Sequence, residues 1–140
     1  MKKYLLIAFS IFAIAAISFS QKINVPAAVT KAFNDRFPGA KDVKWGKENA
    51  KEFEAEFKIN NNNVSANFKS DGSWVETETK IPVADLPATV SKAIAAKYPG
   101  AVITSAEKVE MPGKTNYEVG FKSKDKKKSA ELNAEGKFVE

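Results

Sequence analysis

Four segments set carboxylates at alternate positions, the spacing at which a β-strand sends them to one face. Glu54, Glu56 and Lys58 alternate with Phe53, Ala55, Phe57 and Ile59. Glu118 and Lys122 alternate with Tyr117, Val119 and Phe121. Trp74, Glu76 and Glu78 form a third set, and Phe138 with Glu140 a fourth. Such residues offer two kinds of chemistry. Two carboxylates flanking a pocket do acid–base work, as in glycoside hydrolysis. An aromatic among acids on a rigid sheet anchors a partner protein instead. A flat sheet offers no pocket, so the glutamates read as a solvated face and partner binding leads. The candidate partner-binding residues are Trp74, Glu76, Glu78, Phe138, Glu140, Glu54 and Glu118.

Trp74 and Val75 are neighbours in one strand and must point to opposite faces unless the strand bulges. The same holds for Phe138 and Val139. Two placements stay open. If Val75 and Thr77 face the core, Trp74 and Phe138 join the glutamates on the open face; otherwise Trp74 is core and Val75 outward. Trp45 is expected in the core.

The chain contains neither His nor Cys. Cys and Ser–His nucleophiles are therefore excluded, structural zinc is not expected, and no disulfide framework exists. Asp71 and the amides of Asn60 to Asn63 offer oxygen ligands, but the EF-hand spacing is missing. No metal and no cofactor are expected. The lysine-rich run from Lys124 to Lys128 reads as a solvated hairpin tip and a guard against edge pairing, with contact to anionic lipid or polysaccharide as the alternative.

These strands must be positioned by something, and the sequence repeats itself. Residues 25–40 and 86–101 match at eight of 16 positions, 61 residues apart. Each copy reads as a helix. Pro26 suits a first turn; Val29, Ala32, Phe33 and Phe37 then form one apolar stripe, and Pro38-Gly39 ends it. The first helix is expected over Pro26–Arg36. Val90, Ala93, Ile94 and Tyr98 repeat the stripe, with Asp85 as the expected N-cap. After the first helix, strands are expected over 41–45, 52–59, 64–68 and 73–79, with Asp71-Gly72 as a hairpin signal. After the second, they are expected over 103–110, 115–122, 129–133 and 135–140, offset by 64 from their counterparts. The fold class is α+β: a tandem repeat of helix plus about four antiparallel strands. The two copies, 25–79 and 86–140, would form one sheet of about eight strands with both helices on one face.

Met1-Lys2-Lys3, an apolar run from Tyr4 to Ile17 and small Ser18 and Ser20 have the order of a secretory signal peptide. Residues 1–20 are expected to be cleaved. Residues 21–140 would form a single domain with no integral membrane segment, 20 basic against 17 acidic residues. Nucleic acid is not an expected partner for an exported chain of mixed charge.

The duplicated Phe/Tyr-Pro-Gly-Ala helix ends, paired with Gly72-Ser73-Trp74-Val75-Glu76 and Gly136-Lys137-Phe138-Val139-Glu140, resemble the PepSY-like proteins. These are small exported bacterial domains related to the β-lactamase-inhibitor-protein-like fold. The resemblance covers residues 25–140. It implies a sheet-and-helix fold, a periplasmic or outer-surface location, and an architecture used elsewhere to bind or inhibit enzymes. Inhibitors of this fold carry disulfides, and this chain departs from them there. The expected function is a non-enzymatic exported module that binds a cell-envelope protein through its open sheet face. The alternatives are a carboxylate-based hydrolase and a structural or small-ligand-carrying envelope protein.

Overall fold

The computed structural model describes residues 23–139. The expected leader and Glu140 lie outside the described residues. Helix α1, Ala27–Arg36, leads into strands β1 (Lys41–Lys47), β2 (Glu52–Ile59), β3 (Asn62–Lys69) and β4 (Trp74–Ile81). A 3-10 turn, Val83–Asp85, precedes α2, Ala88–Lys97, and then come β5 (Val102–Met111), β6 (Lys114–Ser123) and β7 (Lys126–Asn133). The seven strands form one open antiparallel sheet in chain order. Every strand therefore pairs with its sequence neighbour, and short turns suffice to connect most of them.

The helices begin and end as their prolines dictate. Pro26 and Pro87 precede the first helical residues, and the Pro26 carbonyl accepts the Val29 and Thr30 N–H groups. Asp85 is not the cap that the sequence predicts. It falls in the 3-10 turn, and Pro87 occupies the cap position with no side-chain hydrogen bond. Both helices close with Phe37 or Tyr98 donating to the carbonyl four residues back, before Gly39 and Gly100 turn at positive φ.

Two apolar clusters hold the helices down. Val29 and Phe33 of α1 pack with Phe53, Ala55, Phe57, Val64, Ala66 and Phe68. Val90 and Ile94 of α2, with Leu86, pack with Ala106, Val119, Phe121, Ala130 and Leu132. Trp45 joins the first cluster, edge-on to Phe33 at 5.2 Å, as expected of a core residue. The ambiguous 52–59 segment is a strand: its alternation of Phe53, Ala55 and Phe57 with glutamates outweighs the four-residue phenylalanine spacing that would suit a helix.

The eighth strand is reduced. Phe138 makes one bridge to Leu132, flanked by hydrogen bonds between Asn133 and Lys137 and between Val139 and Glu131. The lysine run also differs from expectation: only Lys124 and Asp125 form the tip, both at positive φ, while Lys126 to Lys128 belong to the edge strand β7.

The Asp71-Gly72 hairpin is docked, not free. Gly72 has φ +88°, and a Cβ there would lie 2.7 Å from the Ala28 carbonyl oxygen in the first turn of α1. Gly136 meets Thr89 of α2 in the same way, at 2.5 Å. Gly113, in the β5–β6 turn, also has positive φ but open space around it. Gly72→Ala is therefore expected to destabilise by about 2 kcal/mol or more, and Gly113→Ala by about 1 kcal/mol from backbone strain alone. Thermal melts of the two variants, compared with wild type, check the difference.

Candidate functional site

Directly paired residues of neighbouring strands share a sheet face, so the registers place the carboxylates. One row runs Glu54, Asn67, Glu76 across β2, β3 and β4. The next runs Lys44, Glu56, Ser65, Glu78, Val109, Asn116 from β1 to β6. A third runs Lys80, Glu107, Glu118, Glu131 from β4 to β7. Glu76, Glu78 and Lys80 alternate along β4, so the three rows lie side by side on the same face. The predicted residues Glu54, Glu76, Glu78 and Glu118 are thus brought together.

This face is not the flat, wet surface that the sequence reading assumes. All of its glutamates except Glu56 are half-buried, and Ser65, Asn67, Val109 and Asn116 between them are buried. A groove of about 770 Å³ crosses the face, lined by Asp42, Lys44, Glu56, Lys58, Ser65, Glu78, Lys80 and Glu107, among others. Half-buried carboxylates this close together resist ionising. Burial first, then Glu76, Glu107, Glu118 and Glu54, pushes Glu78 up to about 8. Burial and the charges of Glu48, Glu56 and Glu76 push Glu54 up to about 7. Burial with Glu107, Glu131 and Glu76 does the same for Glu118, again to about 7. Glu76 is raised by burial, against the hydrogen bond that Asn67 donates to it, and Glu107 by burial against the charge of Lys80.

Trp74 and Phe138 do not line this face. β4 bulges: Trp74 pairs with Phe68 and Glu76 with Asn67, so two steps along β4 match one along β3. The extra residue, Val75, lets Trp74 and Glu76 face opposite ways although they are two apart. Trp74 packs on the α1 cluster, donates from Nε1 to Thr77 Oγ1 at 2.9 Å, and lies under the Arg36 guanidinium, 3.4 Å from its ring centre. Phe138 packs on the α2 cluster beside Tyr98, with Lys97 Nζ 3.9 Å from its ring centre. The open-face placement of both aromatics is corrected on this geometry. Trp74→Ala should cost about 2 kcal/mol of stability, through lost packing and the lost Arg36 contact, while leaving the glutamate face unchanged. A urea titration reads the first effect. Carboxyl NMR shifts of Glu54 and Glu78 read the second.

Asn67, Glu107, Asn116 and Glu131 also belong to the face and are absent from the sequence candidates. Asn116 donates to Glu131 Oε1 at 2.6 Å. The 64-residue offset would have found Glu131, because it carries Asn67 onto Glu131 just as it carries Glu54 onto Glu118. Among the described residues no group of three acidic side chains is arranged to hold a metal ion, and no helix is long and apolar enough to cross a membrane.

The profile of the family described as "Putative beta-lactamase-inhibitor-like, PepSY-like" matches residues 51–139. No curated protein matches the chain. Several solved structures share the fold. A Bacteroides fragilis protein described as BLIP-like superposes with a TM-score of 0.72 at 21% identity, over 85% of this chain and 86% of its own. A DUF2874 family protein of Bacteroides ovatus gives 0.74 at 22% identity, over 84% and 86%. A Bacteroides eggerthii protein described as one of the "putative periplasmic proteins" gives 0.75 at 20% identity, over 84% and 88%.

Proposed function

We infer that this chain, which belongs to the PepSY-like, beta-lactamase-inhibitor-like family, is an exported, non-enzymatic module that holds a cell-envelope protein on its glutamate face. One observation carries the reading: seven glutamates share three adjacent rows of a half-buried, grooved face, against Lys44 and Lys80 in those rows and Lys58 beside them in the groove. Such a face repels itself and repels polyanions, and it is relieved by a cationic partner. Glu54, Glu76, Glu78 and Glu118 are the binding residues of this proposal. Trp74 and Phe138 are assigned to packing.

The proposal includes the finer architecture. Both helices sit on the face opposite the glutamates, so that the binding face stays open. The registers support this: Thr77 shares a row with Ala66 of the α1 cluster, and Ile81, four residues on, shares a row with Ala106 of the α2 cluster. The two halves are a tandem repeat within one domain, 21–140. The matched pairs Gly72 and Gly136, Arg36 and Lys97, and Trp74 and Phe138 support it. Export rests on the leader-like residues 1–20; sequencing the mature N-terminus should return Gln21.

The hydrolase reading gains one observation, since Glu78 lies in a groove with a pKa of about 8. Acid–base pairs are recognised by environments that push two pKa values apart. Here burial raises Glu54, Glu76, Glu78, Glu107 and Glu118 together, and neighbouring carboxylates add to the rise for all but Glu107, so these five move the same way and not apart. Binding is the better account. The test is capture from an envelope fraction by wild type, by a Glu54→Gln/Glu76→Gln/Glu78→Gln/Glu118→Gln variant and by Trp74→Ala. A protein retained by wild type and Trp74→Ala but lost by the glutamine variant supports the reading. Equal retention by all three rejects it.

A further inference from the structure

The middle residue of the first row is unlike its neighbours. Asn67 is only 7% exposed. Its Nδ2 donates to Glu76 Oε1 at 3.2 Å, but its Oδ1, shut off from solvent, has no hydrogen-bond partner. A buried carbonyl oxygen left unpaired costs about 1–3 kcal/mol. Glu54 and Glu76, on either side, supply only acceptors once ionised. The row therefore holds converging acceptors, and its one N–H donor group, the Asn67 amide, cannot serve its own oxygen.

A metal ion does not fit this need. Calcium gathers its oxygens at about 2.3–2.6 Å, and no three acidic groups among the described residues converge that way. Side chains on adjacent strands start about 4.8 Å apart, a spread that a wide array of donors can bridge. The guanidinium group has five N–H donors in a planar fork and stays charged at any pH the protein meets.

We propose that the Glu54–Asn67–Glu76 row is the seat of an arginine from a basic segment of the partner, which donates to both carboxylates and to the orphan Asn67 oxygen. Charge complementarity names the occupant: the row carries two carboxylates, and Lys44 and Lys80 lie in the rows beyond it. Because the Asn67 oxygen is shut off from solvent in the free protein, the side chains over it must move as the arginine enters. The assignment rests on the binding-module reading and gives it a partner chemistry.

The test uses full-length protein, NMR and two probes, hexa-arginine and hexa-lysine, at low salt. Hexa-arginine should shift the Asn67 side-chain amide and the Glu54 and Glu76 carboxyl signals saturably. Its affinity should fall at least tenfold in Glu54→Gln/Glu76→Gln, and hexa-lysine should bind wild type at least threefold more weakly. The glutamine variant removes repulsion without changing shape, so a melting temperature at or above wild type at pH 8 shows that it is folded. Equal affinity in the variant, hexa-lysine binding as tightly as hexa-arginine, or calcium chloride moving the same signals where hexa-arginine does not would each overturn the proposal. If the glutamine variants lose an envelope protein while wild type ignores hexa-arginine, the binding module stands and the arginine seat is rejected.

Discussion

The protein loses stability as pH rises from about 5 to about 8, opposite to the behaviour of a protein whose carboxylates are salt-bridged. Glu54, Glu78 and Glu118 are the cause, raised from 4.5 to about 7, 8 and 7. Below pH 4.5 these groups are protonated in both folded and unfolded chains, and stability is fully present. Above it the unfolded chain ionises freely, while the folded chain holds its protons. The folded state then binds more protons than the unfolded one, so stability falls with pH until the folded groups ionise too. Each pKa unit corresponds to about 1.4 kcal/mol. Water still reaches these carboxylates, and the first proton taken up relieves the neighbours, so the net loss expected is about 3–5 kcal/mol. Urea titrations at pH 5, 6.5 and 8.5 check it. Glu78→Gln should flatten the profile, stabilising at pH 8.5 and changing little at pH 4.5. A stability that rises with pH through this window would contradict the assignment.

Phe33→Ala is expected to cost about 4 kcal/mol. Phe33 is 3% exposed, and its ring lies 5.0 Å from Phe57, 5.2 Å from Trp45, 5.5 Å from Phe37 and 6.3 Å from Phe68, centre to centre. Removing it withdraws an α1 ring that meets rings of β1, β2 and β3 together, and the surrounding rings cannot all collapse into the space. Phe37, at the helix end and only half-buried, should cost about half as much when truncated. Equilibrium denaturation of Phe33→Ala and Phe37→Ala checks both size and order. A loss below about 2 kcal/mol for Phe33→Ala would show that α1 is not pinned through this residue.

The contrast between these two effects explains what the sequence reveals. Phe33 is legible because a helix stripe is local: its period survives whatever the sheet does. The strand alternation of Phe53, Ala55 and Phe57 is legible for the same reason, and it delivers the shared face of Glu54, Glu76, Glu78 and Glu118. Trp74 is not legible, because its face depends on one inserted residue at Val75. Alternation predicts Trp74 on the side of Glu76, and the bulge reverses it. The burial of the glutamates is not legible either. It arises from the shape of the whole sheet and from Asn67 and Asn116, whose burial no short stretch of sequence records. Asp85 has a good capping residue type at a plausible place, but the 3-10 turn consumes it before the helix begins.

The central claim is that the glutamate face is where a partner sits. Carboxyl-specific footprinting of the full-length protein, free and saturated with its captured envelope partner, tests it most directly. Glu54, Glu76, Glu78 and Glu118 should be protected several-fold in the complex, while Asp35 on α1 and Glu135 in the last turn label as before. Protection of Asp35 or Glu135, with the four strand glutamates labelled as in the free protein, would contradict the account.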